Sequence, residues 1–318
     1  MKTYLGIDVG SVSTKLALVD ERNSVLHSLY LRTEGDPISA IQKGLKRLKG
    51  EISENVEIAA VGTTGSARYL AGVIVGADLI KNEISAHAKG TGFFIPDVRT
   101  VIEIGGQDSK IIILENGVVV DFAMNLICAA GTGSFLDAQA FRLGIPVEKF
   151  GSIALKSQQP TIIGSRCTVF CESDMIHKQQ IGHSKEDIIA GLCQGLARNF
   201  LANVAKGKKI LPPIVFLGGV SENLGMRRAF EDVLSQGIVV PKYNTVLGAL
   251  GVALLAKENI SGPSKFRGWE VSDQDIKCTS FQCKGCPNMC EVIEARIEGK
   301  VVSRWNDRCG KYSSLTPQ

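Results

Sequence analysis

The chain has 318 residues, of which 44% are hydrophobic and 21% charged, a balance typical of soluble globular proteins that excludes disordered and fibrous classes. The formal net charge is +4, and the basic residues are scattered rather than arranged in a stripe, which argues against nucleic-acid binding. The sequence has no apolar signal segment, and no apolar run approaches the roughly 20 residues that span a bilayer, so we expect a cytoplasmic protein with no membrane partner.

The N-terminal part predicts a compact α/β lobe. Apolar runs at residues 3–9 and 15–20 flank the polar segment GSVST, which predicts a β-hairpin. A helix is predicted over 37–49 and a strand over 56–62, and helical patterns follow over 70–76 and 82–87. We assign these elements to a first lobe, residues 1–95.

The opening of this lobe is repeated from Thr100 onward. There TVIEIGG is followed by the polar turn QDSK, and IIILENGVVV contains an Asn-Gly hairpin signal. Ser184 and Asp187 form a capping-box pattern before a long amphipathic helix. A strand over 213–217 and a glycine-spaced helix over 246–256 complete a second lobe, residues 96–257, whose last helix returns toward the first.

Five of the nine cysteines lie in the last 41 residues, which predicts a Cys-rich module over residues 258–318. In a cytosolic chain such cysteines indicate metal ligation or redox work rather than disulfides. Cys283, Cys286, Cys290 and Cys309 supply four thiolates, enough for a structural zinc or a second iron–sulfur cluster. Their spacing does not choose between the two metals.

Three glycine-bearing segments in order predict a cleft that binds ATP or ADP with Mg²⁺. Glycines allow the backbone N–H groups of the turns to approach phosphate oxygens, and a carboxylate can hold the cation through water. We assign Asp8, Glu103 and Gln107 to catalysis, Glu103 and Gln107 as candidates for orienting the attacking water, with Asp108 as a neighbouring alternative. The predicted nucleotide-binding residues are Gly10, Ser11, Ser13, Thr14, Lys15, Gly105, Gly106, Gly218, Gly219 and Asn223.

The alternative for each segment is an ordinary hairpin glycine, and three such segments in order argue against it. The sequence contains no GxxxxGKS or GxxxxGKT motif and no GxGxxG after a strand, which excludes P-loop and Rossmann sites.

Two cysteines of the second lobe have the pattern of cluster ligands. Cys128 lies at the end of a strand before Gly131 and Gly133, and Cys167 precedes a predicted helix. Because a helix N-terminus stabilises thiolates, each position favours an anionic cluster. A cubane cluster takes four cysteines, so we predict a homodimer in which two copies share one cluster. Cys171 and Cys193 are assigned to the core.

The segments GIDVGSVSTK, EIGGQDSK, CAAGTGSFLD, SRCTVFCESD and LGGVSEN resemble the ATP-dependent activators of 2-hydroxyacyl-CoA dehydratases and the ATPase subunits of benzoyl-CoA reductases. The resemblance covers about residues 1–257. It implies the superfold of actin, hexokinase and acetate kinase, two ribonuclease-H-like lobes with a nucleotide cleft. It also implies that Cys128 and Cys167 ligate a four-iron, four-sulfur cluster between protomers.

By the same resemblance, ferredoxin or flavodoxin supplies an electron, and ATP hydrolysis drives it at low potential into a partner iron–sulfur enzyme. Glu103 stands where many members of the family have Asp. The Cys-rich tail resembles larger activase-related proteins and the reductases of double-cubane cluster proteins. The acceptor is therefore a double-cubane cluster protein or a 2-hydroxyacyl-CoA dehydratase.

Two other classes share the predicted fold. A small-molecule kinase would use the same cleft but leaves Cys128 and Cys167 unexplained. A heat-shock or filament ATPase would need a peptide-binding domain or a filament insertion, and neither pattern is evident.

Overall fold

A computed structural model describes residues 1–53, 55–125, 128–164 and 167–313. The chain forms two compact units, one of Met1–Ala86 with Gly248–Gln318 and one of His87–Leu247. Within the described ranges, no helix is long and apolar enough to cross a membrane.

The first unit begins with a five-stranded sheet in the order β3-β2-β1-β4-β5. Strands β1 to β3 are antiparallel neighbours, whereas β4 runs parallel to both β1 and β5. The predicted hairpin and strand are confirmed, and the sequence reasoning missed β3. The elements are β1 (Lys2–Val9), β2 (Ser13–Asp20), β3 (Val25–Arg32), α1 (Pro37–Glu51), β4 (Glu57–Thr64), α2 (Arg68–Val75) and β5 (Leu79–Ile80).

The second unit repeats this topology, with the sheet order β10-β9-β6-β7-β8. Again three strands are antiparallel and two are added in parallel. Its elements, after α3 (Glu83–Phe94), which contains the unit boundary, are β6 (Thr100–Ile104), β7 (Ser109–Glu115), β8 (Val118–Asn125), α4 (Gly133–Arg142), α5 (Val147–Ala154), α6 (Thr168–Gln180), α7 (Lys185–Asn203), β9 (Ile214–Leu217), α8 (Leu224–Leu234) and β10 (Ile238–Val239). The predicted cap of α7 is present, since the Ser184 side chain accepts a hydrogen bond from the Asp187 N–H.

Helix α9 (Leu247–Asn259) packs on the first unit's sheet at two glycines. A Cβ at Gly6 would lie 1.9 Å from the Ala249 carbonyl oxygen, and one at Gly62 would lie 2.4 Å from that of Val252. Only glycine allows the helix backbone this close to the strands.

The C-terminal segment adds a three-stranded antiparallel sheet of β11 (Ile276–Gln282), β12 (Glu291–Ile297) and β13 (Lys300–Trp305). Val271, Ile276 and Ile297 belong to the first unit's hydrophobic core, against which Phe266 and Trp269 also pack. The described part of this segment thus contributes to the core of the first unit, and the predicted boundaries of the three domains stay a prediction.

Candidate functional site

The first predicted turn connects β1 and β2 and is closed by a hydrogen bond from the Gly10 N–H to the Ser13 carbonyl, 2.9 Å long. Asp8 and Lys15 are direct cross-strand neighbours, with 3.3 Å between the Lys15 Nζ and the nearer Asp8 oxygen. The Asp8 carboxylate is buried, whereas Ser11 at the tip is exposed. The turn therefore has an exposed residue at its tip beside an ion pair between the buried Asp8 and the partly exposed Lys15.

Thr33, which the sequence reasoning missed, stabilises this turn by hydrogen bonds. Its hydroxyl donates to the Gly10 carbonyl over 2.9 Å and lies 3.0 Å from the Thr14 hydroxyl. Its N–H donates to the Val12 carbonyl. Thr14 is fully buried, so its hydroxyl braces the turn from inside.

The second turn, between β6 and β7, has the same construction. The Gly105 N–H donates to the Asp108 carbonyl over 3.0 Å, and Glu103 and Lys110 are direct cross-strand neighbours. The Lys110 Nζ lies 2.8 Å from Glu103 and 3.1 Å from Asp108. In both hairpins a carboxylate thus faces a lysine seven residues later.

Asp108 is more exposed than its two charged neighbours, and its pKa is raised. Glu103 and Lys110 are buried, while Asp108 is partly exposed and Gln107 is exposed. Burial, and then the charge of Glu103, raises the pKa of Asp108 above its usual value, and Lys110 opposes the shift. A carboxylate with a raised pKa beside an exposed amide is suited to orienting water.

Each carboxylate is also approached by a glycine that follows the parallel neighbouring strand. Gly65 after β4 has φ +91°, and a Cβ there would lie 2.6 Å from an Asp8 oxygen. Gly218 after β9 has φ +83°, and a Cβ there would lie 2.8 Å from a Glu103 oxygen. The topological repeat is the signal that could have identified Gly65. Gly219 is exposed, and Asn223 caps α8 by accepting from the Met226 N–H.

Cys128 is exposed and begins the short 3-10 helix Ala129–Gly131, which precedes α4. The side chain of Asn125 brackets its backbone: the Asn125 Oδ1 accepts from the Cys128 N–H over 3.0 Å, and the Nδ2 donates to the Cys128 carbonyl over 2.7 Å. Sequence reasoning did not single out Asn125. The two residues between them lie outside the described ranges.

Cys167 occupies the N-cap position of α6 and is half-buried. The chain before it is fastened to the same helix, because the Cys171 thiol donates to the Gly164 carbonyl and the Gly164 N–H donates to Asp174 over 2.8 Å. The two predicted ligands therefore both lie immediately N-terminal to helical turns, as the sequence indicated.

Cys171 is a buried residue of α6. Burial is the main cause that raises the pKa of its thiol to about 11, and the charge of Asp174 adds to the shift. Burial likewise raises the pKa of Cys193 to about 12. Both thiols are protonated at neutral pH, which fits the core role predicted for them.

We expect iodoacetamide at pH 8 to modify the exposed Cys128 and to spare Cys171 and Cys193 in folded, cluster-free protein. With pKa values of about 11 and about 12, only about one thiol in a thousand or fewer is the reactive thiolate at that pH. Peptide mass spectrometry measures the modification, and urea-unfolded protein serves as the control in which all three react. Equal labelling of Cys171 and Cys128 in folded protein would contradict this arrangement.

Three of the C-terminal cysteines, Cys283, Cys286 and Cys290, lie in the β11–β12 connection, and Cys309 follows β13. Cys283 is buried, its N–H donates to the Cys290 carbonyl, and its sulfur accepts from the Gly285 N–H at 3.4 Å. Cys286 and Cys309 are exposed. Throughout the described part of the chain, no three or more His, Cys, Asp or Glu side chains are gathered in a group that could hold a metal ion.

The duplicated sheet, with a glycine-bearing hairpin turn in each half, defines the class of proteins with two ribonuclease-H-like lobes, as the sequence predicted. Residues 5–256 match the model of the BadF/BadG/BcrA/BcrD ATPase family, and the chain belongs to that family. The match ends where the Cys-rich segment begins.

Similar proteins share most of this length. The (R)-2-hydroxyglutaryl-CoA dehydratase activating ATPase of Acidaminococcus fermentans is 39% identical over 259 residues, 79% of this chain and 96% of that protein. The activator of lactoyl-CoA dehydratase of Anaerotignum propionicum is 35% identical over 257 residues, 80% of this chain and 97% of that protein. The solved structure of the 2-hydroxyisocaproyl-CoA dehydratase activator from Clostridium difficile, with bound ADPNP, superposes with a TM-score of 0.74 at 35% identity, covering 82% of this chain and 100% of that one.

Proposed function

We propose that this protein couples ATP hydrolysis to low-potential, one-electron transfer from a four-iron, four-sulfur cluster into a partner iron–sulfur enzyme. The observation that carries the proposal is that Cys128 and Cys167 each occupy the N-cap position of a helical segment, in the unit that also contains the Gly105 turn. The relatives that activate dehydratases support the same function.

The hairpin turns are the proposed phosphate-binding elements. The backbone at Gly10 and Ser11 and at Gly105 and Gly106 would receive phosphate oxygens of ATP or ADP, and Lys15 would stabilise their charge. Asp8 would hold Mg²⁺ through water. Gln107 and a carboxylate, Glu103 or Asp108, would orient the attacking water. The bound nucleotide of the C. difficile activator structure supports a nucleotide site in this fold.

The two cysteines fit half of a cluster. A cubane takes four thiolates, and one chain supplies Cys128 and Cys167, so a second copy would supply the other two. Beside Cys167, Val169 and Phe170 expose 66% and 68% of their surface, which favours burial against another protein surface. The cluster, when bound, serves as a one-electron carrier. The N-terminus of α6, at Cys167, would stabilise its negative charge.

The partner is inferred from chemistry and from relatives. A ferredoxin or flavodoxin would reduce the homodimer in the cytoplasm, and the acceptor would be a double-cubane cluster protein or a 2-hydroxyacyl-CoA dehydratase. Residues 257–318 lie beyond the family match, and this Cys-rich extension favours the first acceptor.

For the extension itself we propose a zinc or second-cluster site held by Cys283, Cys286, Cys290 and Cys309. The N–H of Gly285 pointing at the Cys283 sulfur is the arrangement that supports a thiolate in a CxxC turn. The loop after β13 lies close by, because the Tyr312 ring packs edge-on against Phe281 with 5.1 Å between centroids. Cys309 therefore lies on a segment adjacent to the turn.

The proposed function is tested by iron, sulfide, zinc and ATP hydrolysis measurements on anaerobically purified full-length protein. We expect about four irons per dimer from the bridging cluster and ATP-dependent reduction of a low-potential acceptor. A Cys283→Ser variant should lose only the metal of the extension. ATP hydrolysis with no iron after anaerobic reconstitution would refute the electron-transfer function and favour a kinase of the same fold.

A further inference from the structure

The N-terminus of α4 is bonded directly to the second turn. The Gly133 N–H donates to the Gly105 carbonyl and the Ser134 N–H to the Gly106 carbonyl, both over 2.8 Å. The Ser134 hydroxyl donates to the same Gly106 carbonyl over 2.6 Å. Three donors from the start of α4 thus bind two adjacent carbonyls of the turn.

Close packing accompanies these hydrogen bonds. A Cβ at Gly133 would lie 2.9 Å from the Gly105 carbonyl oxygen and 3.1 Å from the Val220 side chain. No other residue fits there without moving the helix or the turn. The helix start and the turn are therefore expected to move together.

A second connection reaches Cys128 from the other side. Ser109, at the end of the turn, is the cross-strand neighbour of Asn125, whose side chain bonds both the N–H and the carbonyl of Cys128. Ser109 and Asn125 also converge on Gly131, since a Cβ there would lie 3.5 Å from the Ser109 hydroxyl and 3.3 Å from the Asn125 amide. The segment carrying Cys128 is thus connected to the turn at both of its ends.

The chain before Cys167 is hydrogen-bonded to other elements, the helices α6 and α7. It is held by Cys171 and Asp174 of α6, and further back the Thr161 N–H donates to the Asp187 carbonyl of α7. A displacement of the Gly105 turn would therefore move Cys128 first, changing its position relative to Cys167.

We propose that Ser134 is a positioning residue that transmits nucleotide occupancy at the Gly105–Gly106 turn to the segment carrying Cys128. This inference rests on the proposed function, because it requires nucleotide phosphates to bind at that turn. The connection consists of the hydrogen bonds from Gly133 and Ser134 to the Gly105 and Gly106 carbonyls, and all four residues belong to one unit. The Gly106 carbonyl belongs to the turn and accepts from both the N–H and the hydroxyl of Ser134, so a displacement of this carbonyl is passed to the start of α4.

The test compares full-length wild type with Ser134→Ala by hydrogen exchange, each saturated with ADP or with ADPNP. In wild type, the two nucleotides should give different exchange in peptides spanning 128–142. Ser134→Ala removes one of the three donors and keeps the two backbone bonds, so the difference should fall about twofold or more, while ADPNP affinity and iron content stay within about threefold of wild type. Ser134→Thr, which retains the hydroxyl, should restore the difference.

Ser152→Ala is the matched control, because Ser152 also donates from a helix to a main-chain carbonyl, that of Lys149, on α5. It should behave as wild type. If Ser134→Ala keeps the full nucleotide-dependent difference, or wild type shows none although it binds both nucleotides, the proposed connection is wrong while the ATPase function stands. If wild type binds neither nucleotide, the connection and the proposed function fail together.

Discussion

Glu103→Gln is expected to lower the kcat of ATP hydrolysis about 100-fold or more while changing the free energy of unfolding by about 1 kcal/mol or less. The substitution removes the negative charge next to the turn but keeps the shape of the side chain. Lys110 retains Asp108 as a counterion at 3.1 Å, so no buried charge is left unpaired. Steady-state kinetics and urea unfolding give the two quantities separately.

The pH profile distinguishes the two carboxylates. The charge of Glu103 contributes to raising the pKa of Asp108, so its removal should lower that pKa and shift the acidic limb of kcat to lower pH. Glu115→Gln, an exposed carboxylate at the other end of β7, is the matched control and should leave both kcat and the profile unchanged. A Glu103→Gln enzyme with wild-type kcat would leave Asp108 as the carboxylate that orients water.

The sequence predicted the duplication because both hairpins have strong local signals. In each, a β-branched run ends at a carboxylate and glycine, and the Asn116–Gly117 pair of the second lobe adopts the positive φ angles that such a turn requires. The N-cap of α7 could be predicted for the same reason, since Ser184 and Asp187 are only three residues apart. Patterns confined to a few neighbouring residues were therefore sufficient for these elements.

The missed features depend on contacts between residues distant in sequence. Thr33 braces the Gly10 turn from 23 residues away, and Gly65 meets Asp8 only because β4 lies parallel to β1. The core role of Val271 and Ile297 was hidden for the same reason, because a Cys-rich segment gives no sign of which sheet its apolar residues cover. Pairing across the fold, rather than propensity, decides such positions.

The repeat also shows where the two proposed sites differ. Both hairpins have a carboxylate opposite a lysine, Asp8 with Lys15 and Glu103 with Lys110. In both units a positive-φ glycine after the neighbouring parallel strand lies against the carboxylate. In the second unit, the strand β8 ends at Asn125, whose side chain is hydrogen-bonded to the backbone of Cys128. The proposed cluster ligand Cys128 therefore lies on a segment that follows the repeated hairpin and is hydrogen-bonded to Asn125 at its edge.

Cys128→Ala and Cys167→Ala are each expected to reduce bound iron at least tenfold and to abolish ATP-dependent electron transfer. In a symmetric dimer each substitution removes two of the four proposed thiolates, and two thiolates do not retain a cubane. ATP hydrolysis should continue within a few fold of wild type, because neither cysteine lies on a hairpin turn. Iron analysis, the visible spectrum and phosphate release measure the three properties on one preparation.

Cys193→Ala provides the matched control, since it removes a buried thiol of the same unit that is not a predicted ligand. It should retain full iron content and lose about 1 kcal/mol of stability from the small cavity it creates. Full iron content in Cys167→Ala would exclude that residue as a ligand. Loss of iron in Cys193→Ala, with the fold intact by circular dichroism, would instead place the cluster deeper in α7 than the helical N-termini indicate.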